Sequence, residues 1–164
     1  MKKLSLIVST LFGTGYFPKA PGTAGTIVAA LFYYFFLMKF ISSFASELIF
    51  TAILIFSGII SVIFVSEAEK ILGHDNGKIV VDEFIGFLFA LLFLPKTLMV
   101  IIIAFILFRI FDIFKPEPVN VLQKLSGGWG VLADDVMAGI YANFSLQILI
   151  RIFPKFFTLL NGNS

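Results

Sequence analysis

A chain of 164 residues that is 59% hydrophobic and only 13% charged has the composition of an integral membrane protein, read as a single domain over residues 1–164. Its net charge of +2 is too small and too scattered for a nucleic-acid partner. The absence of cysteine removes disulfides, thiolate metal sites and cysteine nucleophiles together.

Met1, Lys2 and Lys3 followed by the apolar stretch Leu4–Phe12 suggest a signal peptide. No small-x-small cleavage site follows, and the next segment is rich in Gly and Pro, so the N-terminus is expected to be retained. Beyond it lie the apolar runs Ala24–Phe40, Leu48–Val65, Phe84–Leu94, Leu98–Phe111 and Val136–Phe153. Crossing a bilayer takes about 20 residues, which the second and fifth runs approach and the first reaches with its flanks. Pro95, Lys96 and Thr97 divide the third run from the fourth, because the residue before a proline avoids helical geometry. A third helix starting near Ile79 is either a short span or a re-entrant limb. The expected fold is an all-α, polytopic membrane bundle of four to five segments in a lipid bilayer.

Alternating these segments puts residues 1–23, 66–83 and 112–135 on one side. That side holds eight of the twelve Lys and Arg residues, Arg109 included, and so is expected in the cytoplasm. Nine of the ten carboxylates fall there too, leaving Glu47 opposite. Acids contribute little to topology, so their segregation marks a cytoplasmic-face site. An acid near apolar segments costs roughly 2.5–3.5 kcal/mol on insertion scales, which makes each a functional candidate. Clustered acids also repel, and a hard divalent metal between them is the simplest relief.

Four motifs carry the chemistry. The loop Phe12–Thr26 is rich in glycine and threonine; Gly22, Thr23 and Gly25 are candidates for a phosphate or headgroup contact, and Thr23 or Thr26 for the cap of the following helix. It is not a P-loop, since no Gly-Lys-Ser/Thr closes it. The second motif, Gly73–Phe84, contains His74 and Asp75, then Asp82 and Glu83 at the start of an apolar helix. A plain first-turn dipole effect also accounts for acids there. In the third, Arg109, Asp112 and Lys115 recur every three residues along one helical face. They form either a salt-bridge ladder or a metal ligand flanked by two phosphate-binding bases. The fourth, Gly127–Gly139, carries Asp134 and Asp135, which point about 100° apart on a helix, so one can face a site while its neighbour orients a second group.

Several phosphatase routes are excluded. There is no Cys-x5-Arg, no second histidine for phosphohistidine chemistry, no Asp-x-Asp-x-Thr/Val nucleophile motif and no long multi-aspartate signature of CDP-alcohol phosphotransferases. Carboxylate-bound metal acting on phosphate remains.

Together the motifs PGTAG, HDNGKIVVDEFIG, FRIFDIFKPEP and GGWGVLADDVMAG, in this order between Phe12 and Asn143, resemble the phosphatidylglycerophosphatase A family. The resemblance implies a magnesium-dependent inner-membrane enzyme that removes the terminal phosphate of phosphatidylglycerol phosphate to give phosphatidylglycerol. It carries over Asp75, Asp82, Glu83, Asp112, Asp134 and Asp135, with His74, Arg109 and Lys115 beside them. Where the family often has Trp between the two prolines after Lys115, this chain has Glu117.

Read from the residues alone, Mg2+ would be held by a subset of Asp82, Glu83, Asp112, Asp134 and Asp135. Arg109 and Lys115 would meet phosphate oxygens, and His74 is a candidate acid for the leaving oxygen. Direct attack by water and an aspartyl-phosphate both fit. A competing class is a divalent-cation transporter, which needs acids along a path reaching both faces; the one-sided clustering speaks against it.

Overall fold

The computed structural model describes residues 2–159 and is built from helices, with no strand among the described residues. The first, α1 (Lys2–Ser9), exposes Leu4 and Ile7 and turns Ser5 and Ser9 inward against the third helix. A tight turn follows, with Leu11, Phe12 and Gly13 all at positive φ, and ends in a single 3-10 turn at Thr14–Tyr16. Pro21, free of any need for an N–H, opens α2 (Pro21–Phe32) at its first position. One wide turn, with Met38 N donating to Tyr33 O at 2.8 Å, extends that helix to Leu37.

The longest helix is α3 (Phe44–Leu72). Ser43 and Ser46 cap it reciprocally, each hydroxyl accepting from the other's backbone N–H. At 29 residues it is about 43 Å long, and it alone among the described helices is long and apolar enough to cross a membrane unaided. Its outer face shows why lipid suits it: Phe56 is 65% exposed and Ile49 62%, with Ile53, Ile59 and Ile63 alongside.

The expected third segment is shorter than its apolar run. The helix α4 (Val81–Ala90) is about 15 Å long, half the hydrocarbon thickness of roughly 30 Å, and seven of its ten residues are buried. Phe93, at φ 56, breaks the continuation. Backbone released among buried side chains must find partners inside the protein. Asn143 Nδ2 donates to Ala90 O at 3.1 Å and to Leu92 O at 2.7 Å. Lys96 Nζ donates to Leu94 O at 3.0 Å and is ion-paired with Glu47, which ties this hairpin to the first turn of α3.

Thr97 caps α5 (Leu98–Phe114), which Lys115 closes in the left-handed conformation. A short α6 (Val119–Leu122) leads to α7 (Gly128–Ile152), and α8 (Pro154–Leu159) follows. The central helix is α7, packed against α3, α4, α5 and α6. It begins eight residues before the apolar run Val136–Phe153, so Asp134 and Asp135 lie in its second turn rather than at its N-terminus.

The tightest seam joins α4 to α7. A Cβ on Gly86 would fall 2.6 Å from the Asp135 carbonyl oxygen, and one on Gly139 would strike the Gly86 carbonyl. Small residues at a helix crossing let two backbones touch, the usual device of packing in lipid. Both glycines stand four residues after an acid, Asp82 and Asp135 respectively, so the crossing sets the acids of the two helices face to face.

Gly139→Ala should cost about 1–3 kcal/mol, because the methyl meets rigid backbone. Gly58→Ala, whose methyl would meet only the Leu132 and Ile85 side chains, at 3.5 and 3.8 Å, should be neutral or gain up to about 1 kcal/mol of helix propensity. Thermal unfolding of both variants in detergent gives the comparison; equal effects would contradict the seam.

Candidate active site

Three helix ends meet at one end of the bundle. The first turn of α2 reaches the first turn of α4, since a Cβ on Gly22 would collide with Glu83 Oε1. The same Cβ would lie 3.4 Å from Arg109 Nη1, which brings in the last turns of α5. Asp134 and Asp135 come from α7 alongside.

Asp82, Asp134 and Asp135 are 7%, 4% and 4% exposed, an unusual depth for carboxylates. Each can offer an oxygen only if something opposite in charge is near. Two bases are. Lys115 Nζ donates to Asp134 Oδ2 at 2.6 Å. The left-handed turn at Lys115 (φ 43, ψ 59) ends α5, and from it the side chain reaches α7. Burial alone would lower the Lys115 pKa. The hydrogen bond to Asp134, that residue's charge, and those of Asp112 and Asp135 outweigh it, holding the amine above its usual value and protonated at neutral pH. Arg109 Nη1 lies 2.7 Å from Asp112 Oδ2. Its N–H bonds are not aimed at that carboxylate, so Arg109 Nε and Nη1 are buried without a hydrogen-bond partner.

Asp82, Glu83 and Asp135 have no base of their own. Their oxygens lie within 4.8 Å of one another, and Asp82 Oδ1, Glu83 Oε2 and Asp135 Oδ2 are buried with no partner. Three like charges so close repel strongly at low dielectric. An all-oxygen donor set with unclaimed lone pairs suits a hard divalent cation such as Mg2+. The residues therefore fit the metal that the sequence pattern implies.

The other sequence candidates lie around this cluster. Asp112 acts electrostatically on Glu83 and Asp135 while paired with Arg109. His74 sits on an exposed loop with Nδ1 2.6 Å from Glu69 Oε1, and Asp75 accepts from Gln123 Nε2 at 2.9 Å; neither contact is to the cluster. Gly25 packs on Val80, where a Cβ would fall 3.0 Å from that residue's own Cβ. Thr23 lines a cavity on the outer side of α2 with Thr14 and Tyr16. The expectation that Thr23 or Thr26 caps this helix is corrected. Ala20 is the cap residue, no side chain caps the turn, and Thr26 Oγ1 instead donates to Gly22 O at 2.9 Å, one turn inside the helix.

Sequence reasoning missed the residues that support the cluster. Gly86 and Gly139 set the crossing, Asn143 holds the end of α4, and Ser66 Oγ accepts from Gly128 N at 2.9 Å, anchoring the start of α7. Asn143, a polar residue inside an apolar run, was the readable signal.

Known proteins share this pattern. The sequence model of the family described as Phosphatidylglycerophosphatase A matches residues 7–150. A Haemophilus influenzae protein named phosphatidylglycerophosphatase A is 37% identical over 154 residues, covering 87% of this chain and 89% of that protein. Its Escherichia coli namesake is 34% identical over 146 residues, covering 87% of this chain and 81% of that protein. A Bacteroides thetaiotaomicron protein provisionally named a phosphatidylinositol-3-phosphatase is 37% identical over 144 residues, 85% of this chain and 89% of that one. No solved structure matches significantly. With the family model covering most of the chain and these relatives aligned along it, the protein belongs to the phosphatidylglycerophosphatase A family, a family of phosphatases of lipid metabolism.

Proposed function

We propose that the protein is a Mg2+-dependent, multi-pass membrane enzyme that hydrolyses phosphatidylglycerol phosphate to phosphatidylglycerol and phosphate, with its site at the cytoplasmic face of a bacterial inner membrane. One observation carries this reading: a cluster of three carboxylates, each with a buried oxygen that has no partner, lies beside an arginine whose Nε and Nη1 are also without one. That is a place for a cation and an anion side by side.

Asp82, Glu83 and Asp135 would hold Mg2+. When bound, the ion supplies Lewis-acid charge to the phosphate oxygens and to the attacking nucleophile. Arg109 offers Nε and Nη1 to the phosphoryl group, with Asp112 keeping the guanidinium in place. Lys115, protonated and held by Asp134, adds positive charge where negative charge grows in the transition state. The first-turn N–H groups of Gly22 and Thr23 have no carbonyl within their helix, and they add a dipole favourable to an anion. A Cβ at position 22 would collide with Glu83 and press on Arg109, so a glycine there leaves the space between them open.

The membrane reading rests on the exposed apolar faces of α2, α3 and α5, and on the internal satisfaction of the backbone after α4. A cation path would need acids between the two ends of the bundle. Glu47, the acid at the other end, is matched by Lys96.

Phosphate release from purified protein should occur with phosphatidylglycerol phosphate and Mg2+, and stop with EDTA. Phosphatidylinositol 3-phosphate, also a lipid phosphomonoester, belongs in the same assay; a strong preference for it would overturn the substrate assignment. No release from either lipid would overturn the hydrolase.

If Arg109 clamps phosphate with its planar fork, lysine cannot replace it. Arg109→Lys should lower kcat by around 10²-fold at saturating Mg2+. Near-wild-type turnover would remove Arg109 from the catalytic set.

Single cysteines at Asn76 and Ser126 can be introduced into a chain that has none. Both should resist membrane-impermeant thiol reagents in intact cells and react in inverted vesicles. Labelling from outside would reverse the assigned face.

A further inference from the structure

The outer surface between α2 and α5 carries a trough of about 440 Å3 with almost entirely apolar walls. Its floor is Ala30 and the buried Ile101; its rims are Ile27, Leu31, Leu98 and Ile102, 46%, 51%, 54% and 46% exposed. Tyr34 and Phe35 close the far end and Phe105 the near one. A bulky rim over a small floor residue is a shape that holds a chain.

The position of the trough identifies its occupant. On α5, Ile101, Phe105 and Arg109 stand four residues apart and so share one face, one turn below another. On α2 the same holds for Thr23, Ile27 and Leu31. The two walls of the trough are thus continued upward by Gly22 and Thr23 on one side and Arg109 on the other, and those helix ends touch. The near end lies about 6 Å along the helix axes from Arg109, and the trough runs on for about 10 Å. A second cavity of about 580 Å3 borders the trough at Ile27 and is lined also by Ala24 and Thr23, at the first turn of α2.

We propose that this trough is a substrate subsite that holds one acyl chain of the lipid whose phosphate sits at Arg109. The proposal deepens the lipid phosphatase reading and rests on it for the position of the phosphate. Held at both ends, the lipid is aligned with the carboxylate cluster, and chain binding contributes to catalysis by positioning.

Two experiments test it. Phosphatidylglycerol phosphate with a mid-chain diazirine, in vesicles of phosphatidylcholine, should label the trough (Leu31, Ile102, Phe105) about ten times more, relative to the exposed Ile49 and Ile53 of α3, than phosphatidylcholine carrying the same diazirine chain. Equal ratios for the two probes would mean ordinary bilayer contact and overturn the proposal. Labelling needs no turnover, so a wild-type protein that labels selectively but releases no phosphate refutes the hydrolase and leaves the subsite standing.

Ala30→Trp fills the floor, well below the catalytic cluster. It should lower kcat/KM for a long-chain substrate about ten-fold while leaving a dihexanoyl substrate unchanged. Equal loss on both substrates, or none on either, would contradict the subsite. Should this variant fail to fold, Ala30→Leu and the labelling ratio of the unaltered protein give the same decision.

Discussion

The arrangement depends on the contact between Gly86 and Gly139. Without side chains at these two positions, α4 and α7 approach until backbone touches backbone. One turn away, Asp82 and Glu83 are then brought against Asp135. Neither helix has reason to accept that repulsion for the sake of the fold. The packing that buries Phe87, Leu88, Ala138 and Ala142 supports it, and the acids are carried along. Stability is provided by apolar and small residues below the site, and function by charges that the packing holds in place.

The charge pattern follows a division of labour. Five carboxylates and two bases meet at this end of the bundle, and the bases do not stand at its centre. Lys115 takes Asp134 and Arg109 stands by Asp112, while Asp82, Glu83 and Asp135 are left to one another. A structural ion-pair network would place its cations between its acids. Here they flank the cluster, the arrangement expected of the proposed site for a metal and a phosphate, with the first turns of α2 and α4 adding their dipoles.

Much of this could be read from the sequence, and the rest is instructive. The helices α2, α3, α5 and α7 match long apolar runs, because burial in lipid or core demands composition that polar loops lack. The acids drew notice for the same reason, being polar where apolar residues were expected. The early start of α7 was hidden because Gly127, Gly128 and Gly130 read as loop; tertiary contacts, with Ser66 among them, hold that turn helical against local propensity. The helix α1 was hidden by serines that pack inward. Which base serves which acid is a matter of space: Lys115 and Asp134 are nineteen residues apart and meet only through a left-handed turn. The caps proposed for Thr23 and Thr26 failed because Pro21 starts the helix earlier than the threonines can cap.

Whether Asp82, Glu83 and Asp135 form a metal site is the central claim, and Mn2+ binding followed by electron paramagnetic resonance tests it most directly. Purified protein in detergent, titrated with Mn2+ in place of Mg2+, should bind the ion with an affinity that collapses by at least about 10²-fold in Asp82→Asn and in Asp135→Asn, while both variants stay folded. Unchanged Mn2+ affinity in the two folded variants would show that the three acids do not hold a metal.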